Sequence, residues 1–191
     1  MTLMRNWRKG VIFFYCVFTV LIAGAQSFSS VNNYVPLNDF KEEDNGLFTT
    51  EILVKGLPRK TGKDFGLEKV QLAILHQRIS DIKVVLVNPN GSEVWLTNRH
   101  GRNGANYNET IFCNSGFRGE ISKGTAPFTG EFLPDGRLAN FNKGQNPNGK
   151  WKLRIYDLAN GVKGTFGSVT LTFSKHPAID ILCLKKMMFR F

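Results

Sequence analysis

The sequence has few of the residues and motifs that carry most enzyme chemistry. It contains three cysteines and three histidines, with no Cys-x-x-Cys pair and no cysteine–histidine spacing typical of a zinc site. It has neither a glycine-rich phosphate loop nor a Gly-x-Ser-x-Gly turn, the motifs that mark nucleotide sites and many hydrolase nucleophiles. The acidic run at 39–44 lies in a polar stretch and predicts a solvated surface, not an acid–base pair. We therefore expect a chain without a catalytic site.

A helical period is also absent. No segment between residues 47 and 174 repeats apolar residues at helical spacing over a dozen positions. The chain instead has 19 glycines and 16 phenylalanines, and short alternating segments separated by Gly, Pro and Asn turns are typical of all-β proteins. The predicted strands are 49–58, 67–77, a hairpin over 81–97, 109–115, 150–157 and 164–174. We predict an all-β fold, an antiparallel jelly-roll-like β-sandwich over 47–174, although 67–77 also has the length of a short helix.

The stretch "NPNGKWKLRIYD" at 146–157 gives the clearest alternation in the chain. Trp151, Leu153 and Ile155 alternate with three basic residues after a turn, the pattern of a half-buried strand. We expect the apolar row to be core. The basic row, Lys150, Lys152 and Arg154, is expected to face solvent on an outer strand, where charge also blocks edge-to-edge aggregation. The alternative is a docking surface for an acidic partner such as a protease domain.

Charge argues against a nucleic-acid partner. The chain has 25 basic and 15 acidic residues and a net charge of +10. Three of these net charges lie in the first 25 residues and three after residue 174, which leaves +4 for the segment 26–174. Nucleic-acid-binding domains usually concentrate their basic residues in a patch or a stripe, and this segment shows no such concentration.

The first 25 residues have the three parts of a secretory signal peptide. Arg5, Arg8 and Lys9 precede an apolar run over 11–22, and Ala23-Gly24-Ala25 provides a cleavage site before Gln26. The run is shorter than the about 20 residues of a membrane span, so we expect cleavage, export to an extracellular or periplasmic location and no stable membrane span. An uncleaved anchor is the alternative.

Three regions remain open from the sequence. Residues 26–46 are polar and predict a linker or a short edge strand. Residues 175–191 mix apolar and basic residues without a period and predict an irregular tail, or a reading frame that is cut short or shifted. After cleavage two cysteines are left, Cys113 and Cys183, and they form either a disulfide, which export would permit, or a buried thiol and an incidental one.

The order of motifs resembles the P/Homo B domain, the β-sandwich module that follows the catalytic domain of proprotein convertases. The resemblance extends over about 47–174. Its first half consists of His76, Asp81-Ile82, the run from Leu86 to Ser92, Leu96, Arg99 and Gly101. Its second half consists of Ala126-Pro127-Phe128, the signature Asn148-Gly149-x-Trp151-x-Leu153-x-x-x-Asp157, Gly164-Thr165-Phe166 and the last strand.

The resemblance implies a secreted, non-catalytic module that packs against a subtilisin-like serine endopeptidase and supports its folding and stability. It implies a structural role for His76 and leaves Asp81 and Asp157 as candidate calcium ligands. Such domains often have aspartates where this chain has Cys113 and Asn114, and Asn114 offers only a neutral oxygen. The alternative for both aspartates is that they cap turns by accepting backbone N–H bonds.

Two other functions stay open. An extracellular module that binds carbohydrate or a cell surface would use exposed aromatic residues, with Tyr107 and Trp95 as the first candidates. The chain could also be the N-terminal fragment of a larger secreted protein. The two other histidines offer no catalytic base, because His100 lies in a glycine loop and His176 in the tail, where both are expected to be solvated.

Overall fold

The computed structural model describes residues 24–180, and within them nine β-strands and three short 3-10 turns make up the regular structure. The strands are β1 Gln26–Pro36, β2 Leu47–Val54, β3 Gly66–His76, β4 Ile82–Val87, β5 Glu93–Asn98, β6 Tyr107–Cys113, β7 Phe128–Phe132, β8 Gly149–Asp157 and β9 Gly164–Ser174. The 3-10 turns are Ile79–Asp81, Ile121–Lys123 and Leu138–Asn142. None of these elements is a helix long and apolar enough to cross a membrane.

The strands form two sheets that pack face to face as a sandwich. One sheet has five strands in the order β1-β9-β3-β6-β7, and the other has four in the order β2-β8-β4-β5. All neighbours are antiparallel except β6 and β7, which are parallel. The core lies between the sheets and is rich in aromatic side chains, the largest being Trp151, Tyr107, Phe112, Phe128, Phe141, Phe166 and Phe173. The sandwich predicted from the sequence is confirmed, with one parallel pair added.

Alternation sets which side of each strand is buried, as the sequence predicts. In β9, Val169, Leu171 and Phe173 are fully buried, and β3 is a strand, not a helix. The short strand β7, which pairs with β6, was not predicted. It lies in the region 116–149, where the apolar pieces are too brief to show a period of two.

The region 26–46, for which a linker or a short edge strand was predicted, contains a strand. Of the two alternatives for 26–46, the structure has the edge strand, and β1 is eleven residues long. It pairs antiparallel with β9 from Gln26 opposite Phe173 to Pro36 opposite Thr165. The sandwich therefore begins at residue 26, and only the loop that follows β1 fits the description of a linker.

Strand β8 has the predicted faces but a different place in its sheet. Trp151, Leu153 and Ile155 are at most 1% exposed, while Lys150 and Lys152 are exposed. The prediction that this is an outer strand is wrong, because β8 lies between β2 and β4. Its charges therefore do not protect a sheet edge, and their outward direction follows only from the burial of the opposite row.

The start of the C-terminal tail is irregular but attached to the sandwich. Ala178 is buried, its N–H donates to the carbonyl of Leu67 at 2.9 Å, and its own carbonyl accepts from Asn142 Nδ2 at 2.8 Å. Cys113 is buried with its Sγ 2.9 Å from Ser115 Oγ. Cys183 and the predicted signal sequence up to Ala23 lie outside the described residues, so the disulfide and the cleavage site stay predictions.

Candidate functional site

Three strand ends meet at one end of the sandwich and bring together a buried polar cluster. His76 is the last residue of β3, Asp157 is the last residue of β8, and Asp81 directly precedes β4. Asp157 stands opposite Ile82 in the β4–β8 register, which places the two aspartates side by side. Each of the three residues offers one ligand atom, and these atoms lie within 4.8 Å of one another. We call them the His76 cluster.

The imidazole of His76 is held on both sides. Its Nε2 lies 3.1 Å from Asp157 Oδ2 and 3.2 Å from the carbonyl of Val162. Its Nδ1 lies 2.9 Å from the carbonyl of Arg78. The N–H of Arg78 also donates to Nδ1 at 3.2 Å, so Nδ1 has both an acceptor and a donor within reach, whereas Nε2 faces two oxygen acceptors. The ring also lies directly against Gly164, where a Cβ would approach His76 Cδ2 to 2.4 Å.

Asp81 has its own cationic partner. Arg78 Nε donates to Asp81 Oδ2 at 2.6 Å across the 3-10 turn, and the Asp81 side chain is only 4% exposed. Asp157 also stabilises a turn, because its Oδ1 accepts from the N–H of Ala159 at 3.4 Å. The cluster is thus two buried acids, each paired with a nitrogen group. Burying a carboxylate is tolerated when such partners are present.

Burial and the neighbouring aspartates shift the pKa of His76 in opposite directions. Burial favours the neutral ring and lowers the pKa of His76, whereas the hydrogen bond and the charge of Asp157, with smaller contributions from the Arg78 carbonyl and Asp81, raise it. The raising effects are larger in sum, so the pKa of His76 lies above its ordinary value. Protonation makes the His76–Asp157 contact a buried ion pair.

The contacts of the His76 cluster fit calcium poorly. Calcium takes six to eight oxygen ligands, whereas this cluster supplies two carboxylates and an imidazole nitrogen. Any cation would also have to displace Arg78 from Asp81 at 2.6 Å. The structure thus brings the two predicted ligands together, and their contacts favour the turn-capping and ion-pair interpretation. Calcium binding by Asp81 and Asp157 stays a prediction from the sequence.

Asn114 is not part of this cluster. Cys113 pairs with Lys69, seven residues before His76 along β3, a distance of about 23 Å at the rise of a strand. Asn114 instead donates through Nδ2 to the carbonyl of Ile179 in the attached tail. Its amide therefore holds the C-terminal segment and does not contribute an oxygen near the two aspartates.

The aromatic candidates for a glycan site differ in exposure. Tyr107 is fully buried, stacks on Phe128 with ring centroids 5.2 Å apart, and has its hydroxyl 2.9 Å from Thr97 Oγ1. Its prediction as an exposed aromatic residue is wrong, because it lies on the inward side of β6. Trp95 is 45% exposed, but Lys83 Nζ lies 3.9 Å above its ring, so a cation already occupies that side of the indole.

Two residues of the basic row on β8, and His100, each have a carboxylate partner. On β8, Lys150 Nζ lies 2.9 Å from Glu51 and Arg154 Nη1 lies 2.5 Å from Glu93. The hydrogen bond and the charge of Lys150, together with the charge of Lys152, lower the pKa of Glu51. This face alternates in sign and lacks the uniform charge that would attract an acidic surface. His100 is not simply solvated, because its Nε2 lies 2.9 Å from Asp135.

The sequence reasoning missed Arg78. Its position three residues before Asp81 was visible in the sequence, and oppositely charged residues at this spacing face each other across one helical turn. The contact depends, however, on the 3-10 turn Ile79–Asp81, which the sequence did not predict. The partner of His76, by contrast, is non-local, since Asp157 is 81 residues away in the chain.

A protein family and two solved structures resemble this chain to different degrees. The family model described as the proprotein convertase P-domain matches residues 68–173. The crystal structure of the Aeromonas sobria serine protease in complex with the chaperone is 18% identical and covers 80% of this chain and 26% of that chain, with a TM-score of 0.44. The crystal structure of the A. sobria serine protease alone has the same identity and coverage, with a TM-score of 0.42. This chain thus spans about a quarter of those proteases. No curated protein matches it.

Proposed function

Because this chain belongs to the proprotein convertase P-domain family, we propose that it is an exported, non-catalytic accessory module of a subtilisin-like serine endopeptidase. In this role it docks to the protease domain and stabilises it. The observation that carries the proposal is the family match over residues 68–173, which runs from β3 to β9. These seven strands contain most of both sheets, so the match describes the sandwich itself and not an appended segment.

The His76 cluster supports a structural role and not a catalytic one. A serine protease needs a histidine whose free ring nitrogen takes the proton of a serine hydroxyl. His76 has an aspartate partner, but its side chain is fully buried and both ring nitrogens already have hydrogen-bond partners within the chain. A substrate therefore cannot reach the ring.

Export is supported by the place of Gln26 in the fold. Gln26 is the first residue after the predicted cleavage site and also the first residue of β1. Cleavage there would leave the whole edge strand in place and would remove nothing that pairs with β9.

The test is co-expression with a subtilisin-like protease domain from the same organism. We expect the secreted yield and the thermal half-life of the protease domain to rise when this chain is present, because a packed accessory domain removes exposed surface and stabilises by mass action. An unrelated β-sandwich of similar size is the control. Equal yield and half-life with either module would refute the accessory role.

The non-catalytic part is tested separately with the purified chain. We expect no labelling by a fluorophosphonate probe, which reacts with activated serines, and no cleavage of fluorogenic peptides. A subtilisin-like protease serves as the positive control. Stoichiometric labelling of a serine in this chain would overturn this part of the proposal and leave the docking test unaffected.

A further inference from the structure

A cavity of about 580 Å³ lies away from the His76 cluster, between the loop that follows β5 and the 3-10 turn Ile121–Lys123. Its lining includes four basic residues and two hydroxyl groups, from Arg99, His100, Arg102, Lys123, Ser122 and Thr125. The remaining lining residues are glycines, and no acidic residue of the described chain lines this cavity. We call it the basic cavity. The function proposed above makes no use of it.

The charges around the basic cavity are only partly balanced. Lys123 Nζ lies 3.0 Å from Glu120, but the two side chains are 76% and 53% exposed, and such pairs contribute little and re-form easily. His100 is paired with Asp135. Arg99 donates through Nε to the neutral carbonyl of Ser80, and neither Arg99 nor Arg102 forms an ion pair within residues 24–180. The guanidinium groups of Arg99 and Arg102 are thus not neutralised by a carboxylate of residues 24–180.

The loop that presents these arginines is fixed to the core. The N–H of Arg99 donates to the carbonyl of Ile82 at 3.0 Å, and the carbonyl of Gly104 accepts from the N–H of Ile79 at 2.9 Å. Gly101 has φ +91° and lies so close to Ile79 and Phe128 that a Cβ would approach their side-chain carbons to 2.7 and 2.8 Å. The backbone of the loop is therefore held in place, which lowers the entropy lost on binding.

Two of the cavity residues have a backbone conformation that side chains disfavour. Arg99 has φ 60° and Arg102 has φ 52°, both in the left-handed region that non-glycine residues rarely adopt. Such strain persists only where the surrounding structure imposes it, and it concentrates at binding sites. Here it places both arginines on the rim of the same cavity.

The basic row on β8 gives an internal comparison. Lys150 and Arg154 lie among carboxylates, which pair with them across the sheet, and the row lies on the flat outer side of a sheet. The basic cavity has about as many cations as the basic row on β8. Unlike that row, the cavity is concave and has no carboxylate in its lining. An anion gains more in a concave basic site, because several donors reach it at once and the field is focused there.

We propose that the basic cavity binds a doubly charged oxyanion, phosphate or sulfate, either free or carried by a sulfated sugar. Arg99 and Arg102 supply the charge, because guanidinium groups bind such oxygens in a bidentate way. Ser122 and Thr125 also line the cavity and carry hydroxyl groups that can donate, and the Ser122 hydroxyl contacts Glu120 only at 3.5 Å. This inference does not depend on association with a protease, and it holds whether or not that association exists.

The experiment is an NMR titration of the purified protein with sodium sulfate and with sodium phosphate, at constant ionic strength set by sodium chloride. We expect saturable shifts in the backbone amides of residues 99–104 and 122–125. The double variant Arg99→Ala/Arg102→Ala should weaken binding at least tenfold. The matched control Lys150→Ala/Lys152→Ala removes the same charge from β8 and should leave the affinity unchanged.

A heparin-derived tetrasaccharide distinguishes the two sources of the oxyanion. Binding more than tenfold tighter than inorganic sulfate indicates a sulfated sugar, and equal affinity indicates a free anion; either result supports the site. Shifts that never saturate, or equal weakening in both double variants, would overturn the proposal. If Arg99→Ala/Arg102→Ala fails to fold, Arg102→Gln replaces it, since Arg102 is exposed, and an unchanged affinity in that variant would overturn the proposal as well.

Discussion

The charge of His76 depends on contacts that the fold creates from distant parts of the chain. Its ring lies at the end of β3, and the acceptors around it come from the turn after β3, from the end of β8 and from the loop after β8. Removing one of these oxygens would weaken the hydrogen bonding of a buried polar ring, which costs free energy. His76, for which the family resemblance implies a structural role, therefore also has a protonation state that is coupled to folding.

The pKa of His76 predicts how stability changes with pH. Because its pKa is higher in the folded state than in the unfolded chain, its contribution is fully present below about pH 6.5 and is lost as the pH rises through the folded-state pKa. We expect the contribution of His76 to the free energy of unfolding, measured by urea denaturation, to fall as the pH rises above about 6.5.

Two variants isolate this effect. Asp157→Asn should remove most of the pH dependence and lower stability by about 3 kcal/mol, because breaking a buried ion pair leaves its partner uncompensated. His176→Gln changes an exposed histidine and should retain the dependence. A free energy of unfolding that rises over this pH range, or the same slope in Asp157→Asn, would contradict the role of the His76–Asp157 pair.

The same residues give a prediction about calcium. A ligand that binds the folded state raises the melting temperature, but Arg78 and His76 already occupy the two carboxylates. We expect the thermal melt to be the same with excess calcium chloride and with a chelator. A melting temperature that rises with calcium in the parent chain but not in Asp81→Asn would establish the calcium site.

At the scale of elements, β8 shows what alternation can predict. The row of Trp151, Leu153 and Ile155 is buried as expected, and the Trp151 ring packs edge-on against Phe141 and Phe173 while its Nε1 donates to the Pro147 carbonyl at 2.8 Å. The position of β8 between β2 and β4 was not predictable in the same way, because sheet order depends on pairing with strands that lie far away in sequence.

The two faces of β8 should respond very differently to truncation. Trp151→Ala should lower the free energy of unfolding by about 3 to 5 kcal/mol, since it leaves a large cavity and an unpaired carbonyl. Lys152→Ala, on the exposed side of the same strand, should change it by no more than about 0.5 kcal/mol. Chemical denaturation of both variants checks this, and similar losses in the two would mean that the outer row carries packing contacts.

At the scale of the whole molecule, the sandwich is larger than the segment with clear strand patterns. Strand β1 closes one edge of the five-stranded sheet. Its Phe28 ring lies 6.0 Å from Phe173, and Ser30 Oγ contacts Thr50 Oγ1 of the other sheet at 2.7 Å. The strand has no charged residue, and its polar composition conceals the pairing with β9 that makes it part of the sandwich.

Removal of β1 is expected to destabilise the sandwich. A chain that starts at Leu37 loses one of the two strands that pair with β9 and the packing of Phe28, a loss of at least about 2 kcal/mol. The newly open edge of β9 should promote aggregation. Melting and light scattering of this chain and one that starts at Gln26 provide the measurement. The control is Val31→Ser in the longer chain, because Val31 is 70% exposed; equal stability of the two chain lengths would show that β1 is dispensable.

The sequence by itself determined seven of the nine strands of the described chain, most of their buried faces and the family. The strands and their buried faces follow from the alternation of apolar and polar residues and from turn residues, which both act within a few positions of the chain. The family follows from the order of motifs along the chain, which can be read directly from the sequence. Alternation therefore placed Val169, Leu171 and Phe173 in the core. It failed for Tyr107, which was expected to be exposed and is fully buried, because a loop of glycines and asparagines precedes it and hides the start of β6.

Only the tertiary structure decided which residues meet. The contact between His76 and Asp157 spans 81 residues, and the basic cavity joins a loop after β5 to a turn before β7. Pairing between distant strands depends on the free energy of the complete sandwich and leaves no signal in any short window of sequence. For the same reason Asp81 and Asp157 could be chosen as a pair from the resemblance, while their partners Arg78 and His76 emerged only from the fold.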